Sequence, residues 1–226
     1  MVVAPDTAKM DASDLNKVKV LFEEQIKQGL HPGALLAVYR QGNLVLDLHG
    51  GIASQENLTP VQADSMFVLF SSTKAMTAAC LHILWERGLL SWDDRVAQHW
   101  PTFAKNNKDQ ITIRHILSHQ GGFPETPSEL TWRKWLDWEA VVTAMENITP
   151  EFAPGQVMAY HPRNYGWMIG ELVRRIDGRP FNQFLRDEIT GPLGMDDTYV
   201  GMPEEFEPRV AKLHAMEDCD RPGMVT

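Results

Sequence analysis

FSSTKAMTAACLHILWERG, residues 70–88, has the pattern of a buried helix with a polar first turn. Apolar residues recur at helical spacing after Lys74, and Gly88 stands where a helix C-cap is expected. Ser71 and Lys74 are three residues apart, so they are neighbours on one helical face with Cβ atoms about 5–6 Å apart. The stretch therefore predicts a core helix that carries a hydroxyl and an amine at its head.

A hydroxyl and an amine at this spacing suggest nucleophilic catalysis. A serine hydroxyl is a weak nucleophile until a base removes its proton. Lys74 can accept that proton only when its amine is neutral, a state favoured by burial and by the positive end of a helix dipole. Taken alone, however, Ser-x-x-Lys favours a simpler interpretation, in which Ser71 or Ser72 caps the helix and Lys74 is solvated. About one such match is expected by chance in a chain of this length.

The composition excludes several classes of protein. The chain has 226 residues, 43% of them hydrophobic and 23% charged, which fits one large globular domain or two small ones. A net charge of −9 argues against a nucleic-acid partner. No apolar run is long enough to predict a membrane span, and the N-terminus lacks a signal-peptide pattern. The two cysteines, Cys80 and Cys219, do not form a disulfide framework, so we expect a cytoplasmic protein.

The first part of the chain predicts a helix followed by a hairpin. Residues 12–29 show a 3.6-residue apolar period, and Gly29 ends the run. Two short segments with strand patterns, residues 34–40 and 44–51, flank a turn. Residues 52–65 are predicted to form a polar loop.

The rest of the chain is predicted to be mainly helical. Thr112 is a candidate cap for a short helix that precedes a Gly-Gly loop. Helical periodicity predicts longer helices over residues 128–149, 164–177 and 181–189. Within the first of these, Trp132, Trp135 and Trp138 are interpreted as core residues or as part of a partner surface, and they could also border an acyl pocket.

Tyr160 follows a Pro-Gly turn and precedes a predicted helix. A tyrosine has an ordinary pKa near 10, but its phenolate becomes accessible next to a lysine ammonium and can then accept a proton from serine. For an isolated tyrosine, the favoured alternative is a core residue whose hydroxyl bonds to the backbone.

Several stretches together resemble the serine β-lactamase and penicillin-binding-protein superfamily, in particular its class C β-lactamase-related branch and the family VIII carboxylesterases. The similarity covers roughly residues 30–210, and the joint order and spacing are far more specific than any one motif. The stretches that carry it are FVLFSSTKAMTAAC, GLLSWDDRVAQHWP, ITIRHILSHQGGFP and PGQVMAYHPRNYGWMIGELVRRIDGRP.

The resemblance implies an α+β fold of the β-lactamase/transpeptidase type, with an antiparallel sheet flanked by helices. Residues 34–70 and the adjoining helix would belong to the α/β part, and residues 71–200 to a mainly helical part. The resemblance also implies site residues. The catalytic ones are Ser71, Lys74 and Tyr160, and Gly121 and Gly122 are expected to bind substrate. His161 is also a candidate substrate-binding residue because it adjoins Tyr160, but a solvent-facing or structural histidine is an equally open interpretation.

The chain departs from the family pattern in three places. Tyr160-His161-Pro162 replaces the usual Tyr-x-Asn, whose Asn contacts the amide side chain of β-lactams in the family, so an ester substrate is favoured. The third family motif, Lys-Thr-Gly or His/Trp-x-Gly on a strand, is missing after Tyr199. Only the hairpin 34–49 is available for the sheet, and a lone hairpin is marginal. Residues 1–226 are therefore expected to be the N-terminal portion of one domain, completed by a further segment or by a second chain.

The expected activity is a serine carboxylesterase that acts on short-chain esters through an acyl-enzyme, without a cofactor. A β-lactamase or D-amino-acid peptidase-type amide hydrolase stays open, as does a non-catalytic binding module on the same fold. Half of the oxyanion hole would come from the absent strand, so the chain alone is expected to be a poor enzyme. No metal is expected, because His115 and His119 have no evident third ligand. The favoured interpretation is that both histidines hydrogen-bond to the backbone around the Gly-Gly loop. No Gly-x-Ser-x-Gly occurs, which argues against an α/β-hydrolase.

Overall fold

The computed structural model of the chain describes residues 2–214, which fall into two compact units. The first unit comprises the described residues of Met1–Val68 and Met202–Thr226, and the second comprises Leu69–Gly201. Cys219 lies outside the described residues. None of the helices within residues 2–214 has both the length and the apolar character needed to cross a membrane.

The first unit combines one long helix with a small antiparallel sheet. Asp11 caps the helix, since its carboxylate accepts a hydrogen bond from the Ser13 N–H. The helix packs against the second strand, and the strand order in the sheet is β1-β2-β3. Its elements are α1 (Ala12–Lys27), β1 (Gly33–Arg40), β2 (Asn43–Ser54), β3 (Thr59–Pro60) and two 3-10 turns, Pro5–Ala8 and Glu204–Arg209.

The hairpin predicted from the sequence is confirmed. Gln41 and Gly42 form its two-residue turn, and both have positive φ (48° and 76°), as a type I′ turn requires. The predicted loop over residues 52–65 is wrong in part, because β2 continues to Ser54 and pairs with β3. Val61, which follows β3, is buried in a small cluster with Ala53, and this burial holds the returning segment against β2.

The second unit is helical. The predicted helix over residues 164–177 is confirmed, while the one over 181–189 changes to π-helical geometry in its second half. Its elements are α2 (Thr73–Glu86), α3 (Val96–His99), α4 (Ile113–Leu117), α5 (Trp138–Asn147), α6 (Asn164–Asp177), α7 (Phe181–Leu185), the π-helical turn Arg186–Thr190 and the 3-10 turns Phe70–Ser72, Pro101–Ala104 and Trp132–Lys134.

The tryptophan-rich segment departs from its prediction, because α5 begins only at Trp138. The 3-10 turn Trp132–Lys134 is followed directly by Trp135 as its C-cap, and a period of three residues matches the tryptophan spacing as well as an α-helix does. The Trp135 indole donates to the Leu130 carbonyl at 2.9 Å, and Trp132 is exposed. The interpretation of Trp135 as a packing residue agrees with this contact.

The core of the second unit lies where α2 packs against α6. Cys80, a free thiol, is fully buried there, and burial raises its pKa to about 12, which makes it inert. The other fully buried apolar residues of these two helices are Leu81, Leu84, Met168, Ile169, Leu172 and Val173. Together the units form an α+β chain with a small antiparallel sheet and many helices, as the sequence predicted.

Glu171 on α6 is a fully buried carboxylate. It accepts hydrogen bonds from the Trp138 indole (2.9 Å), from Arg174 (2.7 Å) and from Arg175 (2.6 Å). Burial disfavours its charged form, but these donors outweigh burial and lower the pKa of Glu171. The cluster joins α5 to α6 through one ionised side chain.

Candidate active site

Ser71 lies at the exposed head of the core helix, in the 3-10 turn that runs into α2. The sequence predicted it in the first turn of the helix itself. The difference originates at Phe70, which has φ of +45°, outside the range of a right-handed α-helix, so α2 does not extend back through it. A positive φ is uncommon for a bulky residue, and such strain is often found next to functional groups.

The Lys74 amine connects Ser71 to the segment that precedes α6. Its Nζ donates to the Ser71 Oγ at 3.1 Å and to the Pro162 carbonyl at 2.8 Å. The side chain is half-buried. The predicted contact between the hydroxyl and the amine is therefore present, and a second acceptor orients the amine.

Tyr160 approaches the same oxygen although it is 89 residues away in sequence. Its hydroxyl donates to the Ser71 Oγ at 2.7 Å, and Lys74 Nζ lies 4.8 Å from the centroid of its ring. The structure thus brings together the three side chains that the sequence assigned to catalysis. Both partners of the 2.7 Å bond are hydroxyls, so the same geometry allows Ser71 to donate its proton to a Tyr160 phenolate.

The electrostatics of the site favour that phenolate. The neighbouring Lys74 side chain and, to a smaller extent, the bond to Ser71 lower the pKa of Tyr160 below its ordinary value of 10.0. The adjacent Tyr165 behaves in the opposite way, because burial raises the pKa of its phenol. Of these two tyrosines, the one that touches Ser71 is therefore the more readily ionised, and its phenolate is the more accessible base.

Tyr160 is held by a loop that follows α4. The Ala159 N–H donates to the His119 carbonyl at 3.0 Å, and the Gly155 N–H donates to the Gln120 carbonyl at 3.0 Å. Thr112 caps α4 as predicted, since its hydroxyl accepts from the His115 N–H at 3.3 Å. The strand-like segment that carries Tyr160 is therefore fixed by backbone bonds.

His161 lies beneath the site and does not line it. Its side chain is 1% exposed, and its Nε2 accepts from the Phe123 N–H at 2.8 Å. Its Nδ1 lies 3.2 Å from the Nδ1 of His119. This burial is at odds with the predicted substrate contact, because both ring nitrogens are occupied by protein groups.

Gly121 and Gly122 are also buried, so the predicted substrate contact gives way to a packing role. Gly122 has φ of +91°, and a Cβ there would lie 2.8 Å from the Phe152 carbonyl oxygen and from Pro150 Cβ. At Gly121 a Cβ would lie 2.9 Å from Ile116 Cδ1. Glycine is therefore required at Gly122, where φ is positive and backbone is close, whereas at Gly121 a Cβ would require the Ile116 side chain to move.

His115 and His119, whose spacing is compatible with metal binding, form hydrogen bonds with protein groups instead. His115 Nδ1 accepts from the Thr112 N–H at 3.2 Å, and His119 Nδ1 accepts from the His161 N–H at 3.1 Å. Within residues 2–214, no group of three His, Cys, Asp or Glu side chains is arranged to hold a metal ion.

The amino-acid sequence matches the Beta-lactamase family over residues 18–224, a range that includes all three groups around the Ser71 oxygen. The chain belongs to the Beta-lactamase family. This membership confirms the resemblance inferred from the sequence.

Curated relatives in this family carry hydrolase and penicillin-binding names. The chain is 33% identical over 198 residues to "Esterase/beta-lactamase LipL" of Mycobacterium tuberculosis, covering 86% of this chain and 45% of the relative. It is 27% identical over 195 residues to "Penicillin-binding protein 4*" of Bacillus subtilis, covering 81% and 41%. The chain thus spans less than half the length of these two relatives.

Solved structures from the same family share its fold. A penicillin-binding protein homologue from Caulobacter crescentus is 34% identical, with a TM-score of 0.83 over 100% of this chain and 59% of that one. A family VIII carboxylesterase is 30% identical, with a TM-score of 0.81 over 88% of this chain and 55% of that one.

Two contributors to the site had no signal in the sequence. The Pro162 carbonyl holds Lys74, but every residue has a carbonyl, so the pattern cannot point to one. His119 was predicted to bond to the backbone around the Gly-Gly loop, but nothing in the sequence indicated that its ring lies 4.8 Å from the Tyr160 ring. Its position on a Gly-Gly loop opposite a tyrosine becomes apparent only in three dimensions.

Proposed function

We propose that the protein is a serine hydrolase in which Ser71 forms an acyl-enzyme with a short-chain carboxylic ester. The observation that carries this proposal is the convergence of Lys74 Nζ and the Tyr160 hydroxyl on one oxygen, the Ser71 Oγ, at 3.1 and 2.7 Å. A hydroxyl that serves only as a helix cap does not need two such partners.

The reaction follows from these contacts. Ser71 Oγ attacks the ester carbonyl carbon as its proton passes to the Tyr160 phenolate, and Lys74 stabilises the charge that develops nearby. The tetrahedral intermediate collapses when the C–O bond to the alcohol breaks and the alcohol leaves with the proton from Tyr160. Water then attacks the acyl-enzyme by the same proton route and releases the acid. We assign the Ser71 backbone N–H as one oxyanion donor.

An ester is favoured over a β-lactam by the residue two positions after Tyr160. Pro162 stands where the family commonly has Asn, and its carbonyl is directed to Lys74 at 2.8 Å. A proline side chain offers no hydrogen bond to the amide side chain of a β-lactam. Similarity to a family VIII carboxylesterase and to an esterase/β-lactamase supports the same choice.

Turnover of two substrates tests the proposal when it is measured on the protein together with any segment or second chain that completes its sheet. We expect p-nitrophenyl acetate or butyrate to be hydrolysed at least about 100-fold faster, in kcat/KM, than a chromogenic cephalosporin. Ser71→Ala should abolish the ester activity. Ser72→Ala, a change to the neighbouring exposed serine, should leave it within about threefold.

Each other outcome has a distinct meaning. A preference for the cephalosporin would replace the esterase proposal with an amide hydrolase that uses the same site. If ester turnover survives in Ser71→Ala, or is absent in the wild-type protein, the chain is better described as a binding module on a hydrolase fold.

A further inference from the structure

His119 holds both residues that flank Tyr160. Its carbonyl accepts from the Ala159 N–H at 3.0 Å, and its Nδ1 accepts from the His161 N–H at 3.1 Å. One residue thus fixes the backbone immediately before and immediately after the tyrosine that contacts Ser71.

The hydrogen bonds determine the tautomers of both histidines. His119 Nδ1 accepts a backbone N–H, so it carries no proton. The His161 Nδ1, 3.2 Å away, must then be the donor between the two rings. This leaves His161 Nε2 free to accept from the Phe123 N–H at 2.8 Å, which is the bond observed. The chain of bonds is complete only when both imidazoles are neutral.

The His119 ring also supports the side chain that it orients. Its centroid lies 4.8 Å from the Tyr160 ring and 4.9 Å from the Tyr165 ring. His119 has φ of +60°, in the left-handed region that is uncommon for residues other than glycine but in which asparagine, aspartate and histidine are enriched. This strained conformation is what directs the carbonyl and the ring to opposite sides of Tyr160.

We infer that His119 is a positioning residue: its neutral imidazole holds the Tyr160 phenol against the Ser71 oxygen. The inference rests on the proposed function, since it concerns how the proposed base is kept in place. It adds to that function a residue that acts through Tyr160 and touches neither the Ser71 oxygen nor the substrate.

The arrangement makes the site sensitive to acid. A proton on His119 Nδ1 would convert an acceptor into a donor and break two hydrogen bonds at once. The titratable groups that face this ring are Lys74, Tyr160, His161 and Tyr165. Burial and the charge of Lys74 lower the pKa of His119 below 6.5, so the bonds are intact at neutral pH and are lost on acidification. Burial and the neighbouring His119 lower the pKa of His161 to about 4, which keeps the donor ring neutral as well.

Two substitutions at His119 separate hydrogen bonding from backbone strain. Asn and Gly both tolerate positive φ, but only Asn offers a side-chain acceptor in place of Nδ1. The readout is the rate at which a fluorophosphonate modifies Ser71, measured by intact mass from pH 4.5 to 9. In this reaction the Oγ–P bond forms, fluoride leaves and the serine proton passes to Tyr160.

We expect His119→Gly to slow the modification at pH 8 by about 10- to 100-fold, the effect of a displaced catalytic group. His119→Asn should remain within about threefold of the wild-type rate. Below the pKa of His119, the wild-type rate should fall more steeply with decreasing pH, because protonation of His119 then adds to protonation of the Tyr160 phenolate. His119→Asn should keep only the single dependence that comes from Tyr160.

Equal rates for the Gly and Asn variants, or an unchanged acid dependence in His119→Asn, would overturn the inference. If His119→Gly does not fold, as judged by circular dichroism, the comparison of acid dependence between wild type and His119→Asn decides alone. Failure of the wild-type protein to react at Ser71 would instead refute the proposed function, so the two failures are distinguishable.

Discussion

Tyr160→Phe removes one oxygen atom from the candidate site and leaves the rest in place. The lost hydroxyl is the one that lies 2.7 Å from the Ser71 Oγ. The ring keeps its contact with the His119 ring, at 4.8 Å between the two centroids, and with Lys74, whose Nζ lies 4.8 Å from the centroid of the Tyr160 ring. Tyr160 is 49% exposed, so the change creates no buried cavity and should not lower the melting temperature measurably.

The size of the effect follows from the role of the hydroxyl. A positioned general base contributes about 10²- to 10⁴-fold to a rate. We therefore expect the fluorophosphonate reaction at pH 8 to slow by about 100- to 10,000-fold, which corresponds to about 3–5 kcal/mol in the barrier. The assay is the first-order appearance of the covalent adduct by intact mass.

Tyr165→Phe is the matched control. Tyr165 also lies near Lys74, with 5.8 Å from Nζ to its ring centroid, but burial raises the pKa of its phenol. Its loss should change the rate by no more than about threefold. The proposed role of Tyr160 is refuted if Tyr160→Phe reacts within about fivefold of wild type, or if the control slows it equally.

Three further changes test other contacts of the second unit. Lys74→Met removes the side chain that lowers the pKa of Tyr160, so that pKa should return toward 10. The pH at which modification of Ser71 accelerates should therefore rise. A pH profile with an unchanged midpoint would contradict this role of Lys74. Gly122→Ala should lower the free energy of unfolding in urea by about 2–4 kcal/mol. Gly178 has a similar φ, but a Cβ there would lie in open space, so Gly178→Ala should lower the free energy of unfolding by only about 1–2 kcal/mol. Equal losses in the two variants would refute the packing argument. Glu171→Gln should cost about 3 kcal/mol at pH 7. Because the folded pKa of Glu171 is lowered, its stabilisation is present above the unfolded value of 4.5 and is lost as pH falls through the folded pKa. A difference between wild type and variant that does not shrink as the pH is lowered below 4.5 would contradict it.

Local patterns predicted the elements that local interactions determine. The hairpin needs only alternating residues and a two-residue turn, and α6 ends at Gly178, which has φ of +93°, as its sequence indicates. The tryptophan segment was predicted incorrectly because a spacing of three residues fits both 3-10 and α-helical geometry. Likewise, β3 forms through burial of Val61 against other parts of the first unit, an interaction that a short window of sequence does not contain.

The candidate site was predictable to a similar extent. Ser71 and Lys74 are one turn apart, so their contact follows from helical spacing. Tyr160 was found through the family resemblance, because no periodicity connects residues so far apart. His161 was placed in the substrate site on account of its neighbour, but adjacency does not say on which side of the backbone a side chain lies. The structure directs it inward, to the Phe123 N–H.

The position of a covalent adduct tests the central claim most directly. The intact protein is treated with a fluorophosphonate, digested and mapped by mass spectrometry. One adduct per chain, on Ser71 and absent in Ser71→Ala, is the predicted result. Modification of Ser72 or of another residue, or no modification at a pH where Tyr160 is ionised, would contradict the claim that the lysine and the tyrosine activate this hydroxyl.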